Sequence, residues 1–270
     1  PDDPIDPIMP DAPKIMFKDV IGHETAKEDL NDIIEYFKNP ERYEEFGAEM
    51  PKGVLFNGPP GTGKTHLARA LANEIQEQVD GEVKFFAHSG GAANTSPYIN
   101  QGAAAVVEIF REAKYYDRSV IFIDELDALL PSRSRENAHQ EDNKTVNAFL
   151  SEFDGFTKLN NTVVIGATNH KEKIDAAVLR PGRFDRIIEI GLPNYRNRIE
   201  LLELYMEEKP KSDVQDYMKA YEHISKKTQG KNAAIIKAIV NEAAISAVRD
   251  LNAEFISVDH LFAALDKITI

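Results

Sequence analysis

The octapeptide Gly58-Pro59-Pro60-Gly61-Thr62-Gly63-Lys64-Thr65 lies between a short apolar run, Val54-Leu55-Phe56, and a helical pattern over Thr65 to Gln78. Glycines spaced this closely let a backbone curl so that several N–H groups turn inward, which suits the oxygens of a phosphate chain. A helix opening where the loop ends adds the partial positive charge of its first turn. Lys64 supplies a point charge suited to β- and γ-phosphates, and the Thr65 hydroxyl suits Mg²⁺. Pro60, Gly61, Thr62, Gly63, Lys64, Thr65 and the adjoining His66 are therefore the candidate nucleotide contacts. A chance glycine-rich turn is the alternative, and the strand before and helix after argue against it.

Further short apolar runs follow at Val83 to Phe86, Val120 to Ile123, Val163 to Ile165 and Ile187 to Ile190. Helical stretches separate them: Ala103 to Lys114, Asn143 to Glu152 and Ala176 to Leu179, with another helix, Glu24 to Phe37, ahead of the first strand. Strands alternating with helices predict βαβ units, hence an α/β fold: a parallel five-stranded sheet of the P-loop NTPase kind with helices on both faces. After Leu192-Pro193 only helices are expected, at Asn197 to Glu207, Asp216 to Lys226, Ala233 to Arg249 and Val258 to Lys267. In the third of these, Ile235, Ile236, Ile239, Val240, Ala243 and Ala247 form one apolar stripe. The expected organisation is a proline-rich linker over residues 1–13, a nucleotide-binding α/β domain over 14–193 and a small helical domain over 194–270.

A second acidic motif completes the candidate site. The apolar run Val120-Ile121-Phe122-Ile123 delivers Asp124 and Glu125 at its carboxyl end, where α/β sheets place ligands. Asp124 is positioned to hold Mg²⁺ through water, and Glu125 to polarise an attacking water. ATP and Mg²⁺ are the expected cofactors. The formal net charge of -13 lowers the expectation of nucleic-acid binding, which favours a basic face. The chain has no cysteine, which excludes disulfides and thiolate chemistry. No apolar run approaches the roughly 20 residues of a membrane span.

Several segments together resemble the ATPase portion of FtsH-like membrane proteases, members of the AAA family. They are Phe17-Lys18-Asp19-Val20-Ile21-Gly22, Asn39-Pro40-Glu41-Arg42-Tyr43 and Pro51-Lys52-Gly53-Val54-Leu55 ahead of the loop, Gly166-Ala167-Thr168-Asn169, Leu179-Arg180-Pro181-Gly182-Arg183-Phe184-Asp185-Arg186, and Asn241-Glu242-Ala243-Ala244. The resemblance covers about residues 16–268. It implies that Ile21 and Gly22 lie near the adenine and that the helical domain is an AAA lid. Asn169 would be the amide that orients the attacking water, and Arg183 and Arg186 would be arginine fingers acting on ATP in a neighbouring subunit, hence a homohexamer. Tyr98 and Ile99 would belong to a pore loop that grips a polypeptide substrate.

Departures from the family pattern are equally specific. Tyr205 stands where the family commonly has a histidine near the adenine, and Lys231-Asn232-Ala233-Ala234 replaces its Phe-Ser-Gly-Ala segment. Leu129-Leu130-Pro131-Ser132-Arg133 looks more like severing or extracting AAA proteins. The peptidase signature His-Glu-x-x-His is missing, since His23-Glu24 is followed by Lys27 where the second histidine should stand, so no zinc site is expected in this chain. The expectations left open are the motor module of a membrane-anchored protease, facing cytoplasm or matrix, or a protease-free AAA chaperone or disassembly ATPase. In the first, membrane attachment would come through segments outside this chain.

Overall fold

Apolar residues on the middle strands point to both sides of the sheet, and a helical layer covers each side. The structure, a computed structural model, describes residues 14–90, 101–132, 140–156 and 161–269. In chain order the first elements are α1 (Glu24–Lys38), α2 (Pro40–Glu45), β1 (Gly53–Asn57), α3 (Lys64–Gln78), β2 (Val83–Ser89), α4 (Gln101–Ala113) and β3 (Arg118–Asp124). Then come α5 (Leu126–Leu129), α6 (Gln140–Phe156), β4 (Thr162–Thr168), β5 (Phe184–Glu189), α7 (Tyr195–Met206), α8 (Tyr217–Lys227), α9 (Ala233–Arg249) and α10 (Val258–Thr269). The five strands form one sheet in the order β2-β3-β4-β1-β5, with every pair parallel, as the alternation of strands and helices led us to expect.

Period two sorts the strand residues between two cores. Val54 and Phe56 of β1, Val120 and Phe122 of β3, and Val163 and Ile165 of β4 pack with Leu30, Ile33, Ile34 and Phe37 of α1 and Leu67, Leu71 and Ile75 of α3. Leu55, Ile121, Ile123 and Val164 point the other way, toward Val106, Ile109 and Phe110 of α4 and Val146, Phe149 and Phe153 of α6. Phe149, Phe153 and Phe184 stack at 5.2–6.3 Å between ring centres, so the start of β5 is anchored by an aromatic cluster.

Two sequence expectations need correction. Ala176–Leu179 is a run of turns, not a helix. The Asp175 carboxylate accepts from the Ala177 N–H at 2.9 Å, competing with helical pairing, and Arg180 precedes Pro181, which disfavours helical backbone. The last strand begins at Phe184, three residues before the apolar run suggested, because this edge strand buries alternate residues only.

Cα packing separates two compact units, residues 1–58 with 64–190, and residues 59–63 with 191–270. The second contains α7 to α10. Asn194, Asp216 and Asn232 each cap a helix by accepting from the backbone N–H three residues on. Arg198 is buried within this unit, where its guanidinium donates to the carbonyls of Ser225 (3.0 Å) and Pro193 (2.7 Å) and so ties α7 to α8. In α9, Ile236, Ile239, Val240 and Ala243 of the expected stripe are buried, with Ile235 and Ala247 at its margins.

Candidate functional site

Strands β3, β4 and β1 are consecutive in the sheet and parallel, so their carboxyl ends emerge side by side. β1 runs into the glycine loop, β3 ends on Asp124 and β4 ends one residue before Asn169. The topology thus gathers residues that are up to 105 apart in sequence. Lys64, the first residue of α3, is buried, and its ammonium donates to the Gly58 carbonyl at 2.8 Å and to Asn169 Oδ1 at 2.7 Å. Burial pushes this ammonium below the ordinary lysine range, and the Asp124 carboxylate works in the opposite direction.

The loop requires glycine for two separate reasons. A Cβ on Gly58 would stand 2.1 Å from the Ile190 carbonyl oxygen, and Gly63 has φ +93, a left-handed backbone that side chains rarely adopt. Thr62 closes the tip, donating its hydroxyl to the Pro59 carbonyl at 2.9 Å. Residues 59–63 group with the second unit, where the Asn232 amide donates to the Pro60 carbonyl at 2.9 Å. Thr65 is half-buried in the first turn of α3, and His66 beside it is exposed.

Glu125 has left-handed backbone (φ 51, ψ 47), one of two non-glycine residues among those described with positive φ. Such a conformation costs on the order of 1–3 kcal/mol and concentrates at functional sites. Its N–H donates to Asp124 Oδ1 at 2.9 Å, and its carboxylate accepts from the Ser89 hydroxyl at 3.2 Å. Ser89 ends β2 and pairs in register with Asp124, so the fourth strand end also faces the site. Sequence reading missed Ser89, Asp127 and Thr168. Thr168 Oγ1 donates to Asp127 Oδ1 at 2.6 Å and accepts from the His170 N–H at 2.9 Å.

Ile21 and Gly22 form the turn before α1, with Gly22 at φ 78. Arg183 and Arg186 sit at the amino end of β5, beside Gly53 and Val54 at the start of β1. One strand length, about 13 Å at about 3.3 Å per residue, separates that end from the carboxyl end of β1. Arg183 is bidentate to Asp154 (2.9 and 2.7 Å) and donates a third bond to the Ala177 carbonyl at 2.7 Å. Arg186 donates to Asp32 at 2.8 Å and to Asp29 at 3.5 Å. Tyr98 and Ile99 fall outside the described residues. Among the described residues no group of three or more His, Asp or Glu could hold a metal, and no helix is long and apolar enough to cross a membrane.

A glycine loop after β1, an acidic pair after β3 and an amide after β4, on a sheet ordered β2-β3-β4-β1-β5, are the marks of a P-loop fold. The chain belongs to the AAA family: the model of the ATPase family associated with various cellular activities matches residues 54–192. It is similar to ATP-dependent zinc metalloproteases. FtsH 1 of Phytoplasma mali is 42% identical over 254 residues, 93% of this chain and 40% of that protein. FtsH of Thermus thermophilus is 40% identical over 245 residues, 90% of this chain and 38% of that protein. YME1L of Drosophila melanogaster is 38% identical over 261 residues, 97% of this chain and 34% of that protein. The chain therefore spans between about a third and two fifths of the length of these relatives.

Proposed function

We propose that this chain is an ATP-hydrolysing motor module of the FtsH kind, which in a hexameric ring unfolds polypeptide and threads it through a central pore. In this reading residues 14–193 bind nucleotide, residues 194–270 are the lid and residues 1–13 are a linker. The loop N–H groups of Gly61, Thr62, Gly63 and Lys64, with those of Thr65 and His66, face phosphate oxygens, and Pro60, which has no N–H, borders them. Lys64 neutralises the β- and γ-phosphates, exchanging its present carbonyl partners for them. Thr65 and Asp124 offer a hydroxyl and a carboxylate. Such a small set of hard oxygen donors suits Mg²⁺, which keeps several waters. Held there, the ion would supply neutralising charge to the phosphate oxygens. Glu125 polarises the attacking water, Asn169 orients it, and Ile21 and Gly22 border the adenine. Tyr98 and Ile99 grip the substrate chain.

The observation that carries the ring is the separation of the site's parts across the sheet. Lys64, Asp124, Glu125 and Asn169 share the carboxyl edge, whereas Arg183 and Arg186 stand at the amino end of β5. A guanidinium a strand length from its own loop is suited to a neighbour's phosphates, which requires a closed assembly. By the same reading the full-length parent is a membrane-anchored, ATP-dependent zinc metalloprotease whose peptidase lies outside this chain. A His-Glu-x-x-His segment downstream in the gene would decide for it, against a protease-free chaperone.

The test is ATPase rate against protein concentration, with size followed by light scattering. A specific rate that climbs as hexamers form is expected. A flat rate from monomers would remove the arginines from the mechanism and with them the ring motor.

A further inference from the structure

Thr168 is almost completely buried, and its carbonyl and its hydroxyl lead to different parts of the candidate site. Its carbonyl accepts from the N–H of Gly58, the first residue of the glycine loop, at 3.2 Å. Its hydroxyl accepts from the His170 N–H at 2.9 Å and lies 2.6 Å from Asp127 Oδ1. An amide N–H can only donate, so the single hydroxyl hydrogen goes to the carboxylate, and all three contacts are simultaneously satisfied. The bond to Asp127 is charge-assisted and shielded by burial of the threonine, which places it among the stronger hydrogen bonds.

Asn169 lies between Thr168 and His170, the two residues this arrangement pins. Its own side chain is exposed, and its Oδ1 meets Lys64 at 2.7 Å. Asp127 belongs to α5, which starts one residue after Glu125 and its left-handed turn. We propose that Asp127 and Thr168 form a positioning pair that locks the β4 end to α5, aiming the Asn169 amide at the reacting phosphate in register with Glu125. They act through the backbone on either side of Asn169. The proposal rests on the role given to Asn169 above.

Positioning has a signature that general stabilisation lacks. A displacement of about 1 Å in an orienting group can cost on the order of 100-fold in rate while leaving ground-state binding intact. Thr168→Val keeps the shape and removes the hydroxyl. Thr168→Ser and Asp127→Asn keep the donor and the acceptor. We expect Thr168→Val to lower kcat by about tenfold or more, with the KM for ATP and the affinity for a fluorescent ATP analogue within about threefold of wild type. The conservative pair should remain within about twofold in kcat.

Two controls separate the pair from the reading beneath it. In an Asn169→Ala background, Thr168→Val should cause no further loss, since the group it positions has gone. Amide hydrogen exchange at His170 should accelerate in Thr168→Val and not in Thr168→Ser. Asp127→Ala, at a half-exposed side chain, repeats the experiment should the buried valine prevent folding. Wild-type kcat in Thr168→Val, a full additional loss on the Asn169→Ala background, or an unchanged His170 exchange rate overturns the positioning pair. If Asn169→Ala alone leaves kcat unaltered, the role of Asn169 falls first, and the pair has nothing to aim.

Discussion

Replacing Lys64 by methionine keeps an unbranched stem and removes the charge. Without nucleotide, the loss of two hydrogen bonds from a charged donor, to Gly58 and Asn169, is worth about 1.5–3 kcal/mol each. Against that stands the relief of a buried ammonium, whose desolvation costs several kcal/mol and already holds its pKa down. The two effects oppose each other, so the unliganded protein should change by no more than about 2 kcal/mol. At about 2–4 °C per kcal/mol for a chain of this size, the Tm moves by less than about 8 °C.

Nucleotide changes the comparison. At 100 times Kd, ADP with Mg²⁺ should stabilise the wild type by about 2.7 kcal/mol, or about 5–10 °C. If Lys64 contributes about 3 kcal/mol to phosphate binding, affinity in the variant falls roughly 160-fold. The same ADP concentration is then about 0.6 times Kd, worth about 0.3 kcal/mol and about 1 °C or less. Thermal melts with and without ADP–Mg²⁺ read both quantities. A variant that retains more than half of the wild-type ADP shift would refute Lys64 as the phosphate's charge partner. A fall of much more than about 8 °C without nucleotide would make it a support of the fold instead.

Glu125→Gln should bind ATP within a few-fold of wild type but hydrolyse it at least about 100-fold more slowly, since a general base contributes about 10²–10⁴; phosphate release beside a fluorescent-nucleotide titration would show it. Tyr221 gives a pH test in the helical unit: burial, with Tyr217 and Glu203 adding to it, pushes its hydroxyl up to about 12 from the ordinary 10.0. A raised pKa stabilises the fold fully below the unfolded value and loses that contribution as pH rises from about 10 to about 12, on the order of 2 kcal/mol at about 1.4 kcal/mol per unit. Urea denaturation at pH 9 and 11.5 should show that loss in wild type and a smaller one in Tyr221→Phe.

The strands legible in the sequence are those with both faces covered. Such burial leaves unbroken apolar runs, so β1, β3 and β4 stand out as Val54-Leu55-Phe56, Val120 to Ile123 and Val163 to Ile165. β5 is an edge: Phe184 and Ile188 are buried while Asp185 and Ile187 face outward, so only its last part resembles the others. Ala176–Leu179 misled because four helix-compatible residues say nothing about the Asp175 side chain bonded to the Ala177 N–H. Local motifs carry the loop and the acidic pair, because the chemistry is written in consecutive residues. Thr168 stands in a segment that carries the resemblance, but its contact with Asp127, like that of Ser89 with Glu125, spans 41 and 36 residues respectively and cannot be read from consecutive residues.

The two arginines at the start of β5 carry the same expectation in the sequence, yet their surroundings differ. Arg183 has three hydrogen bonds, two of them a fork on Asp154, whose carboxyl this guanidinium holds below the usual range; its own pKa is raised in return. The third bond, to Ala177, fastens the turn that replaces the expected helix. Withdrawing Arg183 toward a neighbour would break a bidentate pair and free that turn together. Arg186 instead meets Asp32 and Asp29, whose side chains are 64% and 41% exposed, in single contacts from one nitrogen. Exposed pairs of this sort are worth about 0–1 kcal/mol, an amount that a phosphate's charge readily exceeds. Under the proposed ring reading, Arg186 is the arginine that leaves its present partners at the smaller cost. In a ring, Arg186 would reach across while Arg183 keeps the segment that carries it in shape.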